Sequence, residues 1–132
     1  MIGIDTNVLV RFVVVDDNHQ FEKAKRFFSR CTPSDPAFIS LMVVAEFVWV
    51  LNRLYEYTLP DIRSAIATLL KAEELEFEQR EFLGSLVGDT QSSRLDIADH
   101  IISHIARQNG CSSTMTFDRV AAKTIPGMEL LT

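Results

Sequence analysis

Four acidic residues, Asp5, Glu46, Asp99 and Asp118, stand in or beside apolar stretches and are spread along the whole chain. A carboxylate taken out of water is costly unless it is paired or metal-bound, so acids in core-like surroundings need a compensating cation. The chain offers no lysine or arginine buried in the same runs. A divalent metal held by oxygen ligands is the simplest answer, and carboxylates around such a metal are a phosphodiester-cleaving chemistry.

The elements that must position these acids follow from pattern and caps. Ile2 to Ile4 reads as a short buried strand, with Asp5-Thr6-Asn7 supplying cap residues for a helix through Val8 to Val15. Asp16-Asp17-Asn18 is a turn. The helix from about Gln20 to Arg30 sets Phe21, Ala24, Phe27 and Phe28 against a basic face of Lys23, Arg26 and Arg30. After the break at Pro33 to Pro36, Ala37 to Ile39 is a second buried strand, and Ser40 caps a helix through Met42 to about Tyr55. Leu59-Pro60-Asp61 opens a helix to about Lys71, Leu75 to Glu78 alternates like an edge strand, and Gln79 to Val87 is helical. Gly88 to Ser93 is a polar loop. Ser93-Arg94-Leu95-Asp96 matches a capping box for a helix ending at Asn109-Gly110. Ser113 to Phe117 is a strand, a short helix passes through Ala121-Ala122, and Met128 to Leu131 is a last strand. Strands alternating with helices imply a parallel sheet covered on both faces, an α/β fold.

In open α/β sheets ligands bind beyond the carboxyl ends of the strands, where Asp5 and Asp118 both fall. Each alone could equally be a helix N-cap. Glu46 is the only charged residue from Ala37 to Leu51 and lies six positions past Ser40, beyond the reach of a capping box; an exposed glutamate on a partly solvated face is its alternative. On the helix from Arg94 to Gln108, a period of about 100° per residue gathers Leu95, Ile97, Ala98, Ile101, Ile102, Ile105 and Ala106 on the buried arc. Asp96, His100, Ser103 and Arg107 centre the opposite arc, Asp99 falls on the border, and Asp96 serves helix initiation. His100 and His104, four apart, lack the glutamate of an HExxH zinc site. No Gly-rich phosphate loop, GxSxG elbow or CxxC pair is present, and Glu73, Glu74, Glu76, Glu78 and Glu81 form a solvated acidic edge.

With 132 residues and 47% apolar content the chain is expected to be one globular domain. Its net charge of −5 argues against a general electrostatic hold on nucleic acid but leaves room for a local basic patch. Cys31 and Cys111 read as free, core-filling thiols. The apolar start is interrupted by Asp5 and Arg11 and has no basic leader, and no uncharged stretch approaches the ~20 residues of a membrane helix. A soluble, cytoplasmic protein is expected.

Taken in order, IDTNVLVRF, the isolated Glu46 in SLMVVAEFVWVL, DIADHIISHIARQNGC and TMTFD resemble a PIN-domain ribonuclease, specifically the VapC-type toxin of bacterial toxin–antitoxin pairs. The resemblance runs from Ile2 to the last strand and implies a single PIN domain over residues 1–132. It implies a three-layer sandwich, with a central sheet of four or five parallel strands between helices. It also implies Mg2+ or Mn2+ bound by Asp5, Glu46, Asp99 and Asp118, a homodimer, and a VapB-type antitoxin whose C-terminal segment blocks the site. Thr6, Asn7 and Thr116 match the small polar positions that orient carboxylates and metal waters. His100 departs from the small residue usual after the helical aspartate, and so bears on substrate fit.

The reaction expected is RNA hydrolysis by metal-activated water, releasing a 3′-hydroxyl and a 5′-phosphate. Arg11, Arg119 and His100 are the candidate substrate contacts, with Lys23 to Arg30 as a secondary track for the backbone. Two rivals compete. A metal-dependent phosphatase of the haloacid dehalogenase type would also open on an aspartate after a strand, but needs a second aspartate where Asn7 stands. A non-catalytic PIN-like binding module would normally lack some of the acids.

Overall fold

The computed structural model describes residues 1–88 and 96–132. The chain divides into two compact units, Met1–Ser93 and Arg94–Thr132.

In the first unit, β1 (Ile2–Gly3), β2 (Ala37–Ile39) and β3 (Leu75–Phe77) form a sheet in that order. Both pairings are parallel, with Ile2 opposite Ala37 and Ala37 opposite Leu75. Parallel neighbours require crossover connections, here supplied by α1 (Thr6–Val13) and α2 (Asn18–Ser29), then by α3 (Leu41–Arg53) and α4 (Leu59–Leu70). Helix α5 (Arg80–Gly88) follows β3. Helix α1 packs on α2 and α3, and α4 packs on α3, α5 and β3. Leu9, Val10, Ile39, Val44, Phe47, Leu51, Ile62, Ile66 and Leu83 fill this core.

Local chemistry accounts for the helix starts. Asp17, Ser40 and Thr58 each accept a backbone N–H from the first turn of α2, α3 and α4, satisfying donors that a helix leaves unpaired. The Leu41 N–H donates to Glu78 Oε1 at 2.8 Å, so this acid of the expected solvated edge is a second cap for α3. The Arg80 guanidinium donates to the Leu70 and Leu75 carbonyls and lies 5.6 Å from the Phe77 ring centroid, tying α4 and β3 to α5. Strand β3 is an edge strand with alternating burial, as its pattern implies.

The second unit contains α6 (Ile97–Gln108), β4 (Thr114–Thr116), α7 (Arg119–Thr124) and β5 (Met128–Leu130). Strands β4 and β5 pair in parallel, and Ala121, Ile125 and Met128 cluster beneath them. Gly110, at φ +86°, lets the chain leave α6 while the Gly110 and Cys111 N–H groups donate to the last turn. Gly127, also at φ +86°, approaches α6 so closely that a Cβ would meet Ser103 Oγ at 2.8 Å and Arg107 Nη2 at 2.9 Å.

The α/β class, the parallel pairing and five strands match the sequence reading, but the described strands fall into sheets of three and two instead of one. Ile2 is 58% exposed and Gly3 is exposed, so β1 is not the buried strand its apolar letters suggest. On α6 the expected faces are rotated. Ser103 is buried and donates to the Pro126 carbonyl at 2.6 Å, whereas Ile102 and Ile105 are exposed. Asp96 is the N-cap of α6, accepting the Asp99 N–H at 3.2 Å, so it initiates the helix as the cap itself and not as the third residue of a capping box. The expected loop at Gly88 to Ser93, the Ser93 cap and the placement of Arg94 and Leu95 on α6 lie outside the described residues, Gly88 excepted. Cys31 is half-buried and Cys111 exposed, so neither fills the core. Among the described residues no helix is long and apolar enough to cross a membrane.

Candidate functional site

Asp5 stands two residues past the end of β1 and is the N-cap of α1, its Oδ1 accepting the Val8 N–H at 3.1 Å. It is exposed, and the amide engages one oxygen, which leaves Oδ2 for a ligand. Thr6, the first residue of α1, is buried, whereas Asn7 is exposed. Asp5, Asn7 and Arg11 line a cleft of about 760 Å3 with Gln20 and Lys23, floored by β1 and by Val8, Ala24 and Phe27. Lys23 is the one residue of the basic face of α2 that reaches this cleft, while Lys25, Arg26 and Arg30 are exposed elsewhere on the helix.

The Arg11 guanidinium is held on several sides. Its Nη1 donates to Tyr55 Oη at 2.8 Å and to Asp16 Oδ1 at 3.1 Å, and its Nε donates to Gln20 Oε1. The Tyr55 hydroxyl in turn donates to Asp16 Oδ2 at 2.8 Å. The Tyr55 bond, then the nearby acids, keep Arg11 firmly protonated. The result is a positive charge fixed in orientation at the rim of the Asp5 cleft.

Glu46 lies in the second turn of α3 and is exposed. The apolar run around it is amphipathic: Val43, Val44, Phe47, Val48 and Leu51 are buried, while Met42 and Trp49 share the solvent side with Glu46. The expected core-like setting of the four acids is therefore corrected for three of them, since Asp5, Glu46 and Asp118 are all exposed.

Asp99 is the exception. It sits half-buried in the first turn of α6, at the margin that the helical period assigns it. Desolvation, then a hydrogen bond with Asp96 and the charges of Asp96 and Asp118, push its carboxyl up from 3.8 to about 6. Three acids of the second unit thus act on one another, and the strain of that repulsion concentrates on Asp99.

Asp118 follows β4 and is the N-cap of α7, its Oδ1 accepting the Val120 and Ala121 N–H groups at 2.9 and 3.0 Å. Its own N–H donates to Thr116 Oγ1 at 3.0 Å, so Thr116 fixes the backbone from which Asp118 projects. Asp5 and Asp118 both realise the capping alternative, yet a cap consumes one carboxylate oxygen and a metal needs only the other. Arg119 is exposed at the start of α7. His100 and His104 are half-buried, and desolvation, then Arg107, lowers the His104 imidazole below its ordinary value.

A model of the PIN domain matches residues 2–125. The chain belongs to the PIN domain family. PIN domains are generally nucleases that use divalent metal ions, so a nuclease-type, hydrolytic function follows for this PIN domain. The match takes in all four acids together with Thr6, Asn7 and Thr116. No curated protein matches the chain.

The donor chemistry fits the metal the family implies: the four acids offer hard oxygens alone, the ligand type of Mg2+ and Mn2+. A cation beside Asp99 would also relieve the mutual repulsion there. Among the described residues, no three His, Cys, Asp or Glu side chains form a group ready to hold an ion. Sequence reading missed the Tyr55–Asp16–Arg11 network, because a tyrosine 44 positions away from Arg11 leaves no local signal.

Proposed function

We propose that this PIN domain is a Mg2+-dependent endoribonuclease, with Mn2+ as a substitute, acting as the toxin of a toxin–antitoxin pair in the cytoplasm. The carboxylates of Asp5, Glu46, Asp99 and Asp118 hold the metal, in a single PIN domain spanning residues 1–132. The observation that carries this reading is the family match across residues 2–125, which contains the complete quartet of acids. When bound, the metal supplies an acidified water and neutralises charge on the scissile phosphate.

The chain's own residues supply the rest. Asp5 and Asp118 offer the carboxylate oxygen that their helix caps leave over, and Thr116 sets the backbone of Asp118. Asp99 must release its proton to act as a ligand, so its raised pKa makes it the pH-sensitive member of the set. Arg11, held by Tyr55 and Asp16, presents charge to a phosphate at the cleft rim, with Arg119 and His100 as further substrate contacts. Thr6 and Asn7, next to Asp5, would orient the carboxylates and metal waters, as the family resemblance implies. Water adds to phosphorus as the bond to the 3′ oxygen breaks, leaving a 3′-hydroxyl and a 5′-phosphate. A VapB-type antitoxin and a second copy of the chain are the proposed partners.

The test is incubation of purified protein with single-stranded RNA in Mg2+ or Mn2+, followed by analysis of product ends. Cleavage to 3′-hydroxyl products, abolished by Asp5→Asn and by Asp99→Asn, is expected. Turnover of phosphomonoesters without RNA cleavage would instead favour the phosphatase, and inertness towards both a non-catalytic module.

A further inference from the structure

Helix α3 carries a stripe that the metal chemistry does not use. At about 100° per residue, Met42, Glu46, Trp49 and Arg53 fall within an arc of about 60°, and all four are exposed. Trp49 is 55% exposed and Met42 69% exposed, on a helix whose other face is buried core. An indole left in water one turn from a proposed metal ligand, with a guanidinium one turn further on, is an unusual use of the largest side chain in the sequence.

Resting on the ribonuclease reading above, we propose that Trp49 is a stacking platform for an unpaired base of single-stranded RNA, with Arg53 meeting the adjoining phosphate. Aromatic faces that stack successive bases beside cations that track the backbone are the general means of holding single strands, because every base offers a π-face. The placement commits the surface to this occupant. Glu46 lies one turn from Trp49 along the helix, at the other margin of the same arc, so a strand whose phosphate is engaged at a metal on Glu46 can run its neighbouring base over the indole. Arg53 adds a positive charge on this stripe to those that Arg11 and Arg119 offer elsewhere on an otherwise acidic chain. Trp49 thereby favours single-stranded over duplex RNA, since a base inside a duplex has both faces stacked on its neighbours.

Trp49 is the sole tryptophan, so its fluorescence reports directly on this site. Full-length Asp5→Asn protein, in Mg2+, is titrated with ten-nucleotide oligoadenylate, with oligouridylate and with the duplex formed by the two. Cleavage kinetics are measured in parallel for wild type, Trp49→Ala and Trp49→Phe. We expect quenching by the single strands and little by the duplex. Trp49→Ala should raise KM about 5- to 150-fold at nearly constant kcat, the range that loss of one base–aromatic stack gives, and Trp49→Phe should recover most of it. RNA cleavage by wild type with no quenching, and an unchanged KM in Trp49→Ala, would overturn the stacking role while leaving the nuclease intact. Absence of both binding and cleavage in wild type would overturn the two together. A Trp49→Ala chain that changes from dimer to monomer at unaltered KM would assign the stripe to a second copy and likewise overturn the proposal. Thermal melts of the variants confirm that each is folded.

Discussion

Asp99 is a side chain costly to the fold, and in the mechanism proposed above it is also a metal ligand. The folded chain keeps a proton on it up to about pH 6, whereas the ordinary aspartate value is 3.8. Because the native state binds the proton more tightly, the associated stability is fully present below 3.8 and is lost as pH rises through 6. Solvent screening at this partly exposed site reduces the worth of such a shift to on the order of 1 kcal/mol. In metal-free buffer at pH 7.5, Asp99→Asn is therefore expected to melt several degrees above wild type, with the gain shrinking towards pH 4. The same substitution should abolish cleavage, and wild-type cleavage should fall below about pH 6 as the proton competes with metal. Melting curves that coincide at pH 7.5 would show that Asp99 carries no such strain.

The elements were largely legible in the sequence because their boundaries are written in caps. Asp5, Asp17, Ser40 and Asp118 each precede a helix and accept a first-turn N–H. Burial was less legible. Glu46 looked buried because its stripe-mates Met42 and Trp49 are apolar letters on an exposed face. Ser103 looked exposed because its partner, the Pro126 carbonyl, lies 23 positions away. Asp96 is itself the cap of α6, where the capping-box spacing assigns it the acidic partner's place. The turn before β5 was read only as a break at Pro126-Gly127, yet Gly127 combines a positive φ with a close approach to Ser103 and Arg107. Gly127→Ala is expected to cost about 2 kcal/mol through left-handed strain and the clash with Ser103 Oγ, visible as a lowered midpoint in denaturant unfolding. An unchanged midpoint would mean that the α6–β5 approach relaxes freely.

For the whole molecule, order along the chain carried more than any local pattern. Each acid alone was explicable as a cap or a solvated charge, and two of them are caps, but the set in sequence marks a PIN domain across residues 2–125. The division of the strands into sheets of three and two was not legible, because strand letters give direction and length without naming lateral neighbours. With a net charge of −5, the proposed RNA substrate would depend on cations for its hold on the chain, both the proposed metal and guanidinium groups such as Arg11. If Asp5, Glu46, Asp99 and Asp118 ligate a hard divalent ion, an anomalous difference map from crystals soaked in Mn2+ will show a peak coordinated by these carboxylates; a map with no peak at any of them would rule that ligand set out.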